Sequence, residues 1–313
     1  MKPAKIILLL LATTLLAACG TTRTVPITGR KQNIMVSDDQ ILSLSNQEYQ
    51  SFMKTAVRSS NAANTAMVTR VGQRLAGAVN AYLTNHGMGA DVNEFAWEFN
   101  LVQDKQVNAF CLPTGKIVVY EGLLPYTQTE AALAIVLGHE IAHAVAKHSA
   151  EQMSKQMRQQ YGTQILGGVL NAAVGSGIGD IATLAAQTGF KFRNLKYSRD
   201  HEYEADRMGL IFAAMAGYDP QVAIPFWQRM AADSKNGNDF WSDHPSDAKR
   251  ITALQKEMPE ALAYYQAAGG KPVTAPKATA KPATSGKQTA ASKSSASKSV
   301  SLEDLYNATT NKK

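Results

Sequence analysis

The chain has 313 residues, of which 45% are hydrophobic and 18% charged, enough for one domain with a sizeable core. Its formal net charge of +7 sits at the ends: residues 1–31 carry +5, the stretch from Lys271 onward +6, and the body between is mildly acidic at about −4 by subtraction. No basic stripe interleaved with aromatics accompanies that charge, so nothing points to nucleic acid. Two cysteines exclude a framework of disulfides.

At the N-terminus, Lys2 and Lys5 precede an apolar run from Ile6 to Leu16 that closes on Leu16-Ala17-Ala18-Cys19. A positive flank, a short apolar core and small residues before a break mark a secretory signal over residues 1–18, too short for a comfortable membrane span. Leu-Ala-Ala-Cys resembles the bacterial lipobox, which implies lipidation of Cys19 and attachment to a membrane through that anchor. Gly20 follows where aspartate often retains lipoproteins in the inner membrane, which favours the outer one. Residues 19–36 then read as a lipidated linker. Cys111 is left alone and reads as a small packed residue, since no environment that would lower its pKa can be named.

Residues 37–86 carry the spacing of two helices, the first with Ile41, Leu44 and Phe52, the second with Val68, Val71, Leu75 and Val79. Ala96–Val102 and Lys116–Tyr120 read as strands from their aromatic and β-branched content. Asn108, Ala109 and Phe110, before the turn at Pro113-Thr114-Gly115, form a candidate edge strand to which an extended peptide could add by backbone hydrogen bonds. A purely structural role for these strands is the alternative.

A capping box, Thr127-Gln128-Thr129-Glu130, opens the next helix. Its apolar residues Leu133, Val136, Leu137, Ile141 and Ala144 bury one side and leave the histidines on another. Within it stands His139-Glu140-Ile141-Ala142-His143. Residues four apart share a face, so His139 and His143 can present two imidazoles to one metal ion, and Glu140 can take a proton from an attacking water. The competing reading is a buried helix whose histidines bond to neighbours. A third histidine at the spacing of the extended motif is absent, because Ala146 and Ser149 occupy those positions. His148, about 140° round the helix from His143, lies either beside the ligands or in solvent and is not read as a ligand.

Ile165–Asp180 is apolar but interrupted by glycines, and reads as packed small-residue helices ahead of a lid or a bilayer-resting surface. In Ser198–Leu210, Glu202 and Asp206 share a helix face. Glu202 is the candidate third ligand, and Asp206 orients a ligand histidine or caps backbone; Glu204 should face elsewhere. A charged, solvated helix face is the alternative. A helix follows Asp219-Pro220, and Asp243-His244-Pro245 leads to Arg250 and further helices. Residues 268–313 are rich in lysine, alanine, serine and threonine, too poor in apolar groups to order, with a short docking helix conceivable at Leu302–Tyr306.

Taken together, the His-Glu-x-x-His helix, the Glu-x-x-Ala-Asp helix some sixty residues later and the Asn108–Leu124 strand pair resemble metallopeptidase family 48 over about residues 35 to 260. That family includes the CAAX prenyl proteases and periplasmic enzymes. The resemblance implies an α+β, mostly helical zincin-type domain over residues 37–267 with a small sheet before the active-site helix. It implies one Zn2+ per chain held by His139, His143 and Glu202, with Glu140 as general base. His244 looks like the histidine of the His-Pro segment in periplasmic members, occupying the free zinc position, with Arg250 after it. An oxyanion role for His244 or Arg250, or a plain helix start at Pro245, is the alternative.

The function implied is a zinc-dependent metalloendopeptidase on the periplasmic face of the outer membrane of a bacterial cell envelope. It would act on unfolded or misassembled proteins, with outer-membrane assembly machinery as a further partner. A chaperone-like or regulatory lipoprotein with structural zinc is the competing class.

Overall fold

The computed structural model describes residues 21–166, 178–232, 244 and 248–271. The signal segment, Cys19, the glycine-rich residues 167–177, Pro245 and the tail from residue 272 lie outside the described residues.

Where the sequence suggests a linker over 19–36, the chain forms an antiparallel hairpin. Strand β1 (Thr21–Thr24) pairs with β2 (Lys31–Ile34), Thr21 opposite Ile34. Its turn holds Ile27 at φ 64° and Gly29 at φ 69°, closed by bonds from Val25 N to Arg30 O and Gly29 N to Val25 O. Val25, Ile34 and Val36 are buried, which docks the hairpin on the domain.

Helix α1 (Asp38–Thr55) starts from a capping box in which the Ser37 hydroxyl and Gln40 side chain satisfy each other's backbone N–H groups. Helix α2 (Ala62–Asn85) is capped by Asn61 and buries Val68, Val71, Leu75 and Val79, the predicted stripe. A three-stranded sheet follows in the order β3-β5-β4, made of β3 (Glu98–Val102), β4 (Ala109–Cys111) and β5 (Lys116–Tyr120). β3 runs parallel to β5 and β4 antiparallel to it, so β4 is an edge strand.

Helix α3 (Glu130–Val145) is capped by the Thr129 side chain on Ala132 N, not by Thr127, whose hydroxyl bonds Leu124 O in the short turn before it. It is buried on every side from Ala132 to Val145, where one buried face was expected. The sheet, α2 and α6 surround it, so no face meets water and the helical period of its apolar residues carries no information about exposure. The helix ends at Val145, and Lys147, at φ 52°, redirects the chain into α4 (His148–Leu166). α5 (Ile178–Thr188), α6 (Arg199–Met215), α7 (Ala223–Ala232) and α8 (Ala248–Ala267) complete an α+β domain. Among the described residues no helix is long and apolar enough to cross a membrane.

The contact that builds the site is α3 against α6. Gly138 and Gly209 meet at the crossing, where a Cβ on Gly209 would lie 2.5 Å from the backbone nitrogen of His139. Two glycines let the backbones touch, which brings ligands on both helices within reach of one point.

Candidate metal centre

His139 and His143 project from α3, and Glu202 from α6 one turn after its Ser198 cap. His244 joins them, and all four are buried. Nε2 of His139 lies 3.1 Å from Nε2 of His143 and 3.2 Å from Nδ1 of His244. The Glu202 carboxylate lies 3.2 Å from His244 Nδ1, 3.6 Å from His143 Nε2 and 3.5 Å from His139 Nε2. A four-coordinate zinc with bonds of about 2.0–2.1 Å would set such ligand atoms roughly 3.3–3.4 Å apart. The separations found here, 3.1–3.6 Å with Glu202 turning Oε1 to His143 and His244 and Oε2 to His139, fall around that value. Four polar groups converging in a dry interior are costly without a shared partner, so the donor set fits zinc.

His244 also reaches the expected base. Its Nε2 stands 3.4 Å from Oε1 of Glu140, while its Nδ1 faces His139 and Glu202. Asp206 places Oδ1 3.1 Å from Nδ1 of His139. Arg250, expected as a regulatory or oxyanion group, engages two carboxylates of the site. It bonds both oxygens of Asp206 at 2.7 Å each and comes 2.8 Å from Glu202 Oε2. Trp227 lies against both groups, its ring centroid 5.9 Å from that of His139 and 5.3 Å from the Arg250 guanidinium carbon.

The electrostatics match a place built for positive charge. Burial opposes a charged His139, yet its hydrogen bonds to Asp206 and Glu202 outweigh this and raise it to about 9. Burial and the neighbouring His139 push His143 well below the usual histidine range. Burial would raise Glu202, but His244, His139 and Arg250 hold it well below the carboxylate range.

A second layer lies behind the ligands, and of its members other than Asp206 the sequence points only to His148, as one of two readings. Tyr197 stacks on His143 with centroids 3.9 Å apart and planes 18° apart. His148 is fully buried, so its solvated reading falls. Its Nδ1 lies 2.9 Å from Nδ1 of His143, and its Nε2 lies 2.9 Å from Oε2 of Glu204. Glu204 turns away from Glu202, as its spacing requires, and meets Thr28 and Arg30 of the hairpin turn. Burial lowers His148 to about 4, and Glu204, despite burial, is held at about 2 by His148, Arg30 and Thr28. The only advance signal for this layer was the five-residue interval from His143 to His148.

Strand β4 packs against α3 from the sheet edge. Ala109 and Phe110 belong to it, and Asn108 just precedes it and accepts a bond from Tyr120 N at 3.1 Å. All three are buried. Burial and the Glu140 charge push the Cys111 thiol well above its usual range, which keeps it unreactive.

Residues 62–258 match the model of Peptidase family M48. The chain is 39% identical over 184 residues to the mitochondrial metalloendopeptidase OMA1 of Arabidopsis thaliana, covering 58% of this chain and 36% of that protein. It is 29% identical over 260 residues to the mitochondrial metalloendopeptidase OMA1 of Homo sapiens, covering 80% and 48%. It is 31% identical over 183 residues to a putative beta-barrel assembly-enhancing protease of Vibrio cholerae, covering 56% and 38%. The chain thus spans about a third to a half of the length of these curated relatives.

Proposed function

The chain belongs to Peptidase family M48, and on that premise we propose that it is a zinc-dependent metalloendopeptidase of a bacterial cell envelope, acting on unfolded or misassembled proteins. The observation that carries the reading is the buried convergence of ligand atoms of His139, His143, Glu202 and His244 within 4.8 Å of one another, with Glu140 reached through the far nitrogen of His244.

His139, His143 and Glu202 would hold the metal. Zinc, when bound, supplies Lewis acidity that acidifies water and polarises a peptide carbonyl. Glu140 takes the proton of the attacking water and passes it to the leaving nitrogen. Asp206 fixes the tautomer and ring plane of His139, and Arg250 fixes Asp206. An extended substrate would add to the edge strand β4 beside Asn108, Ala109 and Phe110, reading backbone more than side chains. Such selectivity suits the exposed segments of misfolded proteins.

His244 stands 3.2 Å from His139 and 3.4 Å from Glu140, so with zinc bound it would be a fourth ligand competing with the attacking water. The reading is of a latent enzyme that opens when His244 leaves the other three ligands. The same closure favours a second reading, in which the zinc is structural and the protein a regulatory or chaperone-like lipoprotein. The relative named as a beta-barrel assembly-enhancing protease supports an outer-membrane setting, with Cys19 as lipid anchor and the assembly machinery as partner.

The test is cleavage of casein by the zinc-loaded chain, with Glu140→Gln and a chelator as controls. Cleavage lost in both controls supports the peptidase. A wild type that stays inert, alone and as His244→Ala, supports the structural-zinc reading.

A further inference from the structure

The hairpin turn Ile27–Arg30 is built at a cost. Ile27 is β-branched and held at φ 64°, a conformation that such residues rarely adopt, and Gly29 follows at φ 69°. Strain of this kind persists where surrounding contacts over-determine it. What the turn delivers is the Thr28 hydroxyl on Glu204 Oε1 and the Arg30 guanidinium between two carboxylates. Arg30 reaches Glu204 Oε2 at 2.7 Å and Glu151 Oε2 at 2.8 Å. Glu151 accepts from His201 at 3.2 Å, and His201 stacks on His148 with centroids 4.3 Å apart.

From there the bonds run inward with one consistent direction. If Nε2 of His143 faces the metal position, its ring proton must sit on Nδ1. That N–H then donates to Nδ1 of His148 at 2.9 Å, so His148 carries its own proton on Nε2 and donates it to Glu204 at 2.9 Å. Glu204 is held in turn by Thr28 and Arg30. The other ligand histidine has the same plan with one fewer link, His139 to Asp206 to Arg250.

We propose that His148, Glu204 and Arg30 are positioning residues that orient His143, so that the Thr28–Arg30 turn of the N-terminal hairpin sets the metal affinity of a site distant in sequence. The inference rests on the metallopeptidase reading for the presence of the metal, but not on any proteolysis. The turn at Lys147, φ 52°, is part of the device, because it swings His148 off the end of α3 and back onto His143.

The test compares full-length wild type with Arg30→Met, Arg30→Lys, Glu204→Gln and His148→Ala. Zinc affinity is measured by competition with a chromophoric chelator, and the ligand field is read from the visible spectrum of the Co2+ form. Each variant's metal-free thermal unfolding shows whether it is folded at the assay temperature. Arg23→Met is the control, since Arg23 lies in the same hairpin but pairs only with the surface carboxylates Asp38 and Asp91 among its ion pairs. The expected result is a loss of zinc affinity of about 10- to 100-fold in His148→Ala, Glu204→Gln and Arg30→Met, with shifted Co2+ bands. Arg30→Lys falls between, and Arg23→Met matches wild type. Arg30→Met combined with His148→Ala should lose no more than His148→Ala alone, as residues in one relay do.

Unchanged affinity in folded Arg30→Met or Arg30→Lys, or additive losses in the double variant, overturns the relay while leaving the metallopeptidase standing. A wild type with no affinity for zinc overturns both.

Discussion

His244 points Nε2 at Oε1 of Glu140 from 3.4 Å while its Nδ1 completes the set of metal donors. One imidazole thereby touches both the candidate base and the metal ligands, which is what the proposed latch requires. Removing it should open the site. His244→Ala is expected to raise casein turnover by roughly an order of magnitude and to weaken zinc retention, since a fourth ligand is lost. Turnover and zinc content measured on the same preparation check this. A fall in turnover at full zinc occupancy would transfer His244 from latch to oxyanion donor.

Glu140→Gln keeps the shape of the side chain and removes its basicity. Glu140 is buried and offers no donor to the metal set described here, so zinc content should stay at the wild-type level. Hydrolysis should fall by about 10²–10⁴-fold, the usual contribution of a positioned base. The variant should be made in the His244→Ala background, where there is turnover to lose.

Asp206 carries two loads, the His139 ring and the Arg250 charge. Asp206→Asn keeps an acceptor for one of them. Zinc affinity should drop by about 10- to 100-fold, and the fold should weaken because the buried Arg250 loses a charged partner at 2.7 Å. Competition with a chelator and thermal unfolding of the metal-free chain separate the two effects.

Glu151 predicts an acid transition. Burial would raise this carboxyl, but His201 and Arg30 outweigh it and hold it below its usual value of 4.5. Its folded pKa is therefore depressed, so its contribution is complete above about pH 4.5 and fades as pH falls through the lower folded value. Glu151→Gln should cost roughly 1–3 kcal/mol at neutral pH and flatten the loss of stability on the acid side. Denaturant titrations of the metal-free chain at several pH values read both.

The parts of the molecule legible in the sequence are those coded by short spacing. The stripe Val68, Val71, Leu75 and Val79 fixed the buried face of α2, and the pairs His139/His143 and Glu202/Asp206 each lie one turn apart. What escaped is coded by tertiary contact. Arg30 meets Glu204 across 174 positions, and no local pattern marks that partnership. The sequence leaves His148 between two places, beside the ligands or in solvent, because the break at Lys147 has no glycine or proline to announce it and only the fold brings the ring back onto His143. The hairpin read as a linker because Thr21–Thr24 is polar and exposed, and its order comes from β2 and from the Arg30 ion pairs.

The crossing of α3 and α6 gives the most stringent prediction about how the site is held. Gly209→Ala would put a methyl 2.5 Å from His139 N and 2.7 Å from Gly138 C, both backbone atoms that no rotamer change can move aside. The helices would have to separate, and every distance in the donor set depends on their separation. Overpacking of this kind costs about 1–3 kcal/mol, occasionally more. The zinc site should suffer beyond that, because His139 and His143 would retreat from Glu202 together. Gly77→Ala is the matched comparison, since Gly77 lies on α2 with nothing within 4 Å of its added Cβ. It should leave zinc affinity unchanged and stabilise its helix by up to about 1 kcal/mol. Equal zinc affinity in the two variants would mean that the glycine contact does not set the ligand geometry.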